Sequence, residues 1–213
     1  MLTGQRPMTG ESYLPHARVS PQPGGRPSAP GSLALVQSFI NTHFDLEHDH
    51  GAEVLSSAPA LAAWLQDRGL IDRHAEVRDR DLRRAIELRE SLRALAAVSS
   101  SDARTLRRAR EQVDVTAAGA RIEIRFSPAG PRFIGAPNAG IDGAFGALLA
   151  VVGEAIVDGR WSRLKICPGH HCGWAFYDSS RNRSGRWCSM AVCGGREKAK
   201  AHYRRRRQNG SHS

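Results

Sequence analysis

"CPGHHCGWAFYDSSRNRSGRWCSMAVCGGREKAKAHYRRRR", residues 167–207, holds all four cysteines of a 213-residue chain. They fall as two pairs, Cys167 with Cys172 and Cys188 with Cys193, in the pattern C-x4-C-x15-C-x4-C. Two close pairs separated by a longer loop are what a tetrahedral Zn²⁺ site needs. Each pair curls a short turn around the metal, and the loop brings the two turns together. A segment this small cannot build an adequate apolar core, so the metal would supply much of its stability, about 10–16 kcal/mol of apparent binding energy in small finger peptides. Four thiolates leave no open coordination position, which predicts one structural ion rather than a catalytic one. The spacing also admits two disulfides or four free thiols, and His170 or His171 could stand in for a cysteine. The N-terminus, "MLTGQRPMTGESYLPH", lacks the apolar run of a secretion signal. That predicts a cytoplasmic protein, and the cytosol keeps thiols reduced, which favours metal over disulfides.

The charge is concentrated in the same place. From Arg160 to Arg207 there are 13 lysines and arginines against two acids, Asp178 and Glu197, a net +11. The remainder carries 18 bases against 19 acids, so the overall +10 comes from this segment alone. A near-neutral body joined to a concentrated basic module predicts a polyanionic partner, nucleic acid first among them. The loop between the cysteine pairs presents Arg181, Asn182, Arg183 and Arg186. After Cys193 the chain reads as a helix from about Gly195, with Arg196, Lys200, Tyr203, Arg204 and Arg207 on one side and Lys198 beside them. The planar fork of arginine suits phosphate oxygens and guanine edges. A row of stacking aromatics is missing, which favours duplex DNA over single strands. Two other readings stay open: a solvated basic helix with no partner, and an RNA- or ribosome-associated or protein-interaction module whose basic tail is incidental.

Upstream the pattern is mostly helical. Residues 1–30 hold six of the 11 prolines and predict a flexible arm. "SLALVQSFINT" (32–42) places Leu33, Val36 and Ile40 near one helical face. "SAPALAAWLQDRG" (57–69) has a Ser57 cap, Pro59 in the first turn and Gly69 at the stop. A longer helix is predicted over 77–98, and another over 102–113 behind an Asp102 cap. "RIEIRF" (121–126) alternates Ile122, Ile124 and Phe126 with charges, which predicts a half-buried strand. "SPAG" then turns the chain, and "PRFIG" pairs back. "IDGAFGALLAVVGEAIVDG" (141–159) predicts a buried helix, too interrupted to cross a membrane. "WSRLKIC" (161–167) alternates into the first cysteine. The fold class is α+β: a mostly helical N-terminal domain with a small antiparallel β element, then a small zinc finger.

At these residues the chain resembles a known family. "CGWAFYDSSRNRSGRWCSMAVCGGR" is similar to the CGNR zinc finger, whose naming residues read Cys193-Gly194-Gly195-Arg196 here, with Gly195 where the family has Asn. "LALVQSFINT" and the "WSRLKIC" approach resemble the ABATE domain, a stress-induced transcription regulator that accompanies this finger. The resemblance spans about 32–205. It implies a bacterial regulator that binds Zn²⁺ through Cys167, Cys172, Cys188 and Cys193 and contacts DNA, with an N-terminal domain that senses a small-molecule effector. It divides the chain into an arm (1–30), an ABATE-like domain (31–160), a finger (161–207) and a tail (208–213). Asn at position 195 could cap the final helix or bond a backbone group, which Gly195 cannot do with a side chain, and glycine remains a tolerable cap. One finger offers little interface, so dimerisation through the N-terminal domain is expected.

Other constellations carry less. "NTHFDLEHDH" (41–50) gathers His43, Asp45, Glu47, His48, Asp49 and His50 without regular ligand spacing and reads as a polar loop. Asn41 and Thr42 could cap the first helix, turn the chain or line a pocket. Trp64, Trp161, Trp174 and Trp187 read as core or finger packing. G-x-S-x-G, a glycine-rich phosphate loop and H-E-x-x-H are all missing, so no enzyme is predicted.

Overall fold

Among the described residues the first helix is short and wholly buried, because the chain wraps its neighbours around it. A computed structural model describes residues 26–44, 53–97, 101–128, 130–169, 172–200 and 203. The helices are α1 (Leu33–Ile40), α2 (Ala58–Gln66), α3 (Asp79–Ala96) and α4 (Ala103–Gly119), followed after a hairpin by α5 (Gly140–Val157). Their starts follow the expected chemistry. Ser57 accepts from the Ala60 N–H at 3.2 Å, and Asp102 accepts from the Thr105 N–H at 2.8 Å. Gly69 ends the α2 segment with φ +64°, a left-handed turn that glycine adopts without strain. Helix α4 runs six residues past the predicted end, because Ala109 and Thr116 keep one side of it buried.

One core joins these helices. Leu33, Phe39 and Ile40 of α1, Leu61 and Leu65 of α2, Leu88 and Leu92 of α3, and Phe145 and Leu148 of α5 are almost completely buried. Among the described residues α5 is the helix long and apolar enough to cross a membrane by length and composition, but most of it lies inside this core. Trp64 packs at 5.5 Å from Phe39, so it is a core residue.

Strands β1 (Ile122–Ser127) and β2 (Gly130–Gly135) form an antiparallel hairpin with Ile122 opposite Gly135 and Ile124 opposite Phe133. The half-buried strand predicted for 121–126 is corrected here. Exposure of its apolar residues rises towards the tip, from 42% at Ile122 through 55% at Ile124 to 84% at Phe126. The hairpin is anchored at its base, where a Cβ on Gly135 would lie 2.1 Å from the Gly143 carbonyl and one on Gly146 2.1 Å from that of Arg121. The hairpin tip reaches beyond this anchored base, and its apolar side chains stay exposed there.

A second hairpin leads into the cysteines. A 3₁₀ turn (Trp161–Arg163) opens into β3 (Leu164–Ile166), which pairs antiparallel with β4 (Ala175–Tyr177). Leu164 and Ala175 belong to the main core, so this hairpin is packed on the helical body. Asn41 fixes it there: its amide donates to the Ala175 carbonyl at 2.9 Å and its carbonyl accepts the Ala175 N–H at 2.8 Å. Gln37 adds a bond to the same carbonyl, and the guanidinium of Arg93 donates to the carbonyls of Ile40, His43 and Gly173. Asn41 is thus a clasp between α1 and the finger. Thr42 turns back on α1, donating to the Phe39 carbonyl at 2.8 Å.

Candidate metal centre and nucleic-acid face

Cys167 follows β3, Cys172 precedes β4, and the turn between them is closed by the Cys172 N–H bonding the Gly169 carbonyl at 2.9 Å. The second pair sits on a tight turn over Met190–Gly194, where both Cys193 and Gly194 donate their N–H groups to the Ser189 carbonyl at 3.0 Å. The four sulfurs lie within 4.8 Å of one another and all four residues are buried. Cys188 Sγ is 3.7 Å from Cys172 Sγ and 3.6 Å from Cys193 Sγ. A disulfide would need about 2.05 Å, and the thiols are free. A tetrahedral ion with Zn–S bonds of about 2.3 Å requires sulfurs about 3.8 Å apart, close to these separations. Gly169 makes the approach possible, since a Cβ there would lie 3.1 Å from Cys193 Sγ and 3.4 Å from Cys167 Sγ.

The electrostatics call for a cation. Contacts from the Cys167 and Cys172 thiols hold Cys188 down to about 2, whereas Cys172 is pushed far above the usual thiol range by contact with Cys167. Burial pushes Cys193 up to about 12. Four sulfurs buried in contact resist ionising together until positive charge neutralises them. The donor set therefore fits one structural zinc, with all four positions filled by sulfur. His170 and His171 lie outside the described residues.

Three residues outside the predicted ligand and nucleic-acid sets shape this centre. Trp174 packs in the finger as expected, buried beside the cysteines with Phe176, and Phe44 meets its ring edge-on at 4.6 Å. Arg26, assigned by composition to the arm, is only 6% exposed; it lies 5.1 Å from the Trp174 ring, and its positive charge favours the Cys188 thiolate. Zinc with four thiolates carries a net −2, which a buried guanidinium partly offsets. Asp178 is the third, one of two acids in a basic segment. Its buried carboxylate accepts from Lys165 Nζ at 2.6 Å, from the Ser180 N–H at 3.0 Å and from the Gly185 N–H at 2.8 Å. Burial would raise its pKa, but Lys165 and Ser180 outweigh burial and hold it down to about 2. A Cβ on Gly185 would lie 2.5 Å from that carboxylate, so glycine is required for the loop to close on it.

The loop closed by Asp178 carries the predicted basic residues. Arg181, Asn182, Arg183 and Arg186 are all exposed. Arg163 braces the loop from beneath, donating to the carbonyls of Asp178 at 2.9 Å and Ser180 at 3.0 Å. Arg183 takes the left-handed conformation, φ +52°, and its carbonyl accepts from Lys165 Nζ. Arg186 lies against Trp187, 5.4 Å from its ring. Residues 195–200 are helical as expected, with Arg196, Lys198 and Lys200 exposed. Among the described residues only Lys200 of these meets an acid, Glu197 at 3.8 Å. Arg204 and Arg207 lie outside the described residues, as do Asp45, Glu47, His48, Asp49 and His50 of the polar loop. Gly195 is exposed at the start of the helix, and a Cβ there would lie 3.3 Å from the Met190 carbonyl.

Comparison with known proteins agrees with this architecture. Residues 163–206 match the CGNR zinc finger family. Residues 33–158 match ABATE, described as "Putative stress-induced transcription regulator". No curated protein matches the chain. With more than half its length matched by the one family and the cysteine cluster matched by the other, the chain belongs to the ABATE family and carries a CGNR zinc finger after that domain.

Proposed function

We propose that this protein is a zinc-dependent, DNA-binding transcription regulator, cytoplasmic and acting by binding rather than catalysis. The supporting observation is the exposed cationic surface built on the metal centre. Arg181, Arg183 and Arg186 on one loop and Arg196, Lys198 and Lys200 on the following helix flank the Cys188–Cys193 turn in the chain. Such a loop and helix can follow a phosphate backbone, with the arginine forks and Asn182 available to base edges. Arg204 and Arg207 extend the same charge along the chain. The zinc ligands in this reading are Cys167, Cys172, Cys188 and Cys193.

One further observation supports the effector part of the reading. A cavity of about 420 Å³ lies between the end of α3 and the finger, lined by Ala96, Lys165, Ile166, Pro168, Arg183 and Arg186. A ligand filling it would compete with DNA for Arg183 and Arg186, which couples ligand binding to DNA release.

The test is selection of bound fragments from random duplex DNA by the zinc-loaded full chain at two salt concentrations. A recurring motif that persists at the higher salt is expected. Binding without a motif that vanishes with salt would reduce the activity to phosphate attraction. Preference for RNA over duplex DNA would replace the reading.

A further inference from the structure

The β1–β2 hairpin packs the base of its apolar face on α5, where Ile122 and Gly135 meet that helix, and leaves the rest of the same face exposed towards the tip. By register Ile122, Ile124 and Phe126 share one face with Phe133 and Pro131. Exposure is 55% at Ile124, 84% at Phe126 and 45% at Phe133. The patch continues onto α5. Arg132 of β2 reaches Glu154 at 3.4 Å, which sets the tip of the hairpin beside the last turns of that helix. Val157, three residues on and so on the same side as Glu154, is 89% exposed. Together Ile122, Ile124, Phe126, Phe133 and Val157 present on the order of 600 Å² of apolar surface, at the top of the range for the largest patch on a monomer.

We infer that this face is the interface of a two-fold dimer, each copy's hairpin and α5 end packing on the other's. The area agrees with a second copy of the chain. A standard interface buries about 800 Å² per partner, and homodimer interfaces are about 65% apolar, which calls for about 520 Å² of apolar surface. The charge pattern agrees too. The face itself is uncharged, and the nearby charges are already paired, Arg125 with Glu123 and Arg132 with Glu154. Nothing there selects an acidic or basic partner, whereas an uncharged patch is complementary to itself across a two-fold axis.

The experiment is sedimentation of the zinc-loaded full chain without DNA, so that it stands or falls apart from the DNA reading. Wild type is expected to run as a dimer at micromolar concentration. Phe126→Glu is expected to weaken association roughly 100-fold. Its thermal unfolding, extrapolated to low concentration, should match wild type, because Phe126 contributes little to the folded monomer. A monomeric wild type would overturn the inference, as would a Phe126→Glu variant that dimerises as tightly. Flotation of a monomeric wild type with neutral phosphatidylcholine vesicles would assign the face to a lipid surface instead.

Discussion

The helical body and the finger hold their shapes by different physics. In the body, residues such as Leu33, Leu88, Phe145 and Leu148 lose nearly all contact with water, and burial alone can stabilise the helices. Beyond its hairpin the finger has a small buried cluster, four cysteines with Trp174 and Phe176, and a loop shaped by the Asp178 carboxylate. The body tolerates many sequences that keep its pattern. The finger depends on a few atoms, any one of which is costly to lose.

The largest expected effect separates the two regions most sharply. Chelation of zinc, or Cys188→Ser, should disorder the chain from about 178 to 200 and abolish specific DNA binding, while the helical far-UV signal largely persists. Hydrogen exchange mapped along the chain reads this directly. The β3–β4 hairpin should stay protected, because Asn41, Gln37 and Arg93 hold it to the body. If the whole chain unfolds with the metal, the distinction between the regions is lost.

Asn41→Ala probes the join. It leaves the Ala175 N–H without that acceptor and removes one of two side-chain donors from its carbonyl. A cost of about 1–3 kcal/mol in denaturant unfolding is expected for a buried group left unpaired. Zinc binding should survive. Loss of zinc affinity in parallel would show that the body sets the metal site rather than merely carrying it.

A smaller effect is expected at Asp178. Its pKa is held below the ordinary carboxylate value of 3.8. Its contribution is therefore complete above about pH 4 and disappears as pH falls towards 2. Loss of loop structure on mild acidification, followed by near-ultraviolet dichroism and zinc release, should then track thiolate protonation. Asp178→Asn removes that contribution at every pH above about 4, so its acid midpoint should move to higher pH with the steepness unchanged, and an unmoved midpoint would show that the carboxylate does not hold the loop.

What the sequence made legible follows the range of the interactions involved. The caps at Ser57 and Asp102 and the four-sulfur cluster depend on residues close along the chain, and the pattern declares them. The β1 strand was legible as a strand, but alternation does not say how much of its apolar face is covered, and α5 covers only the base of it. The Asn41–Ala175 clasp joins residues 134 apart, beyond any local signal. Arg26 stands in a stretch rich in proline and glycine, where composition speaks for an arm and only the fold brings it to the sulfurs. Asp178 offered one clue, as one of two acids in a segment rich in arginine, and the structure gives it a shaping role in the loop.

The central claim is that zinc holds this loop so that its arginines meet nucleic acid. The most direct measurement is the affinity of the zinc-loaded full chain for duplex DNA over a range of salt, compared with the Arg181→Ala/Arg183→Ala/Arg186→Ala triple variant at equal zinc content. The account predicts a weaker complex with a log–log salt slope shallower by about two to three. Equal affinity and equal slope in the two proteins would contradict it.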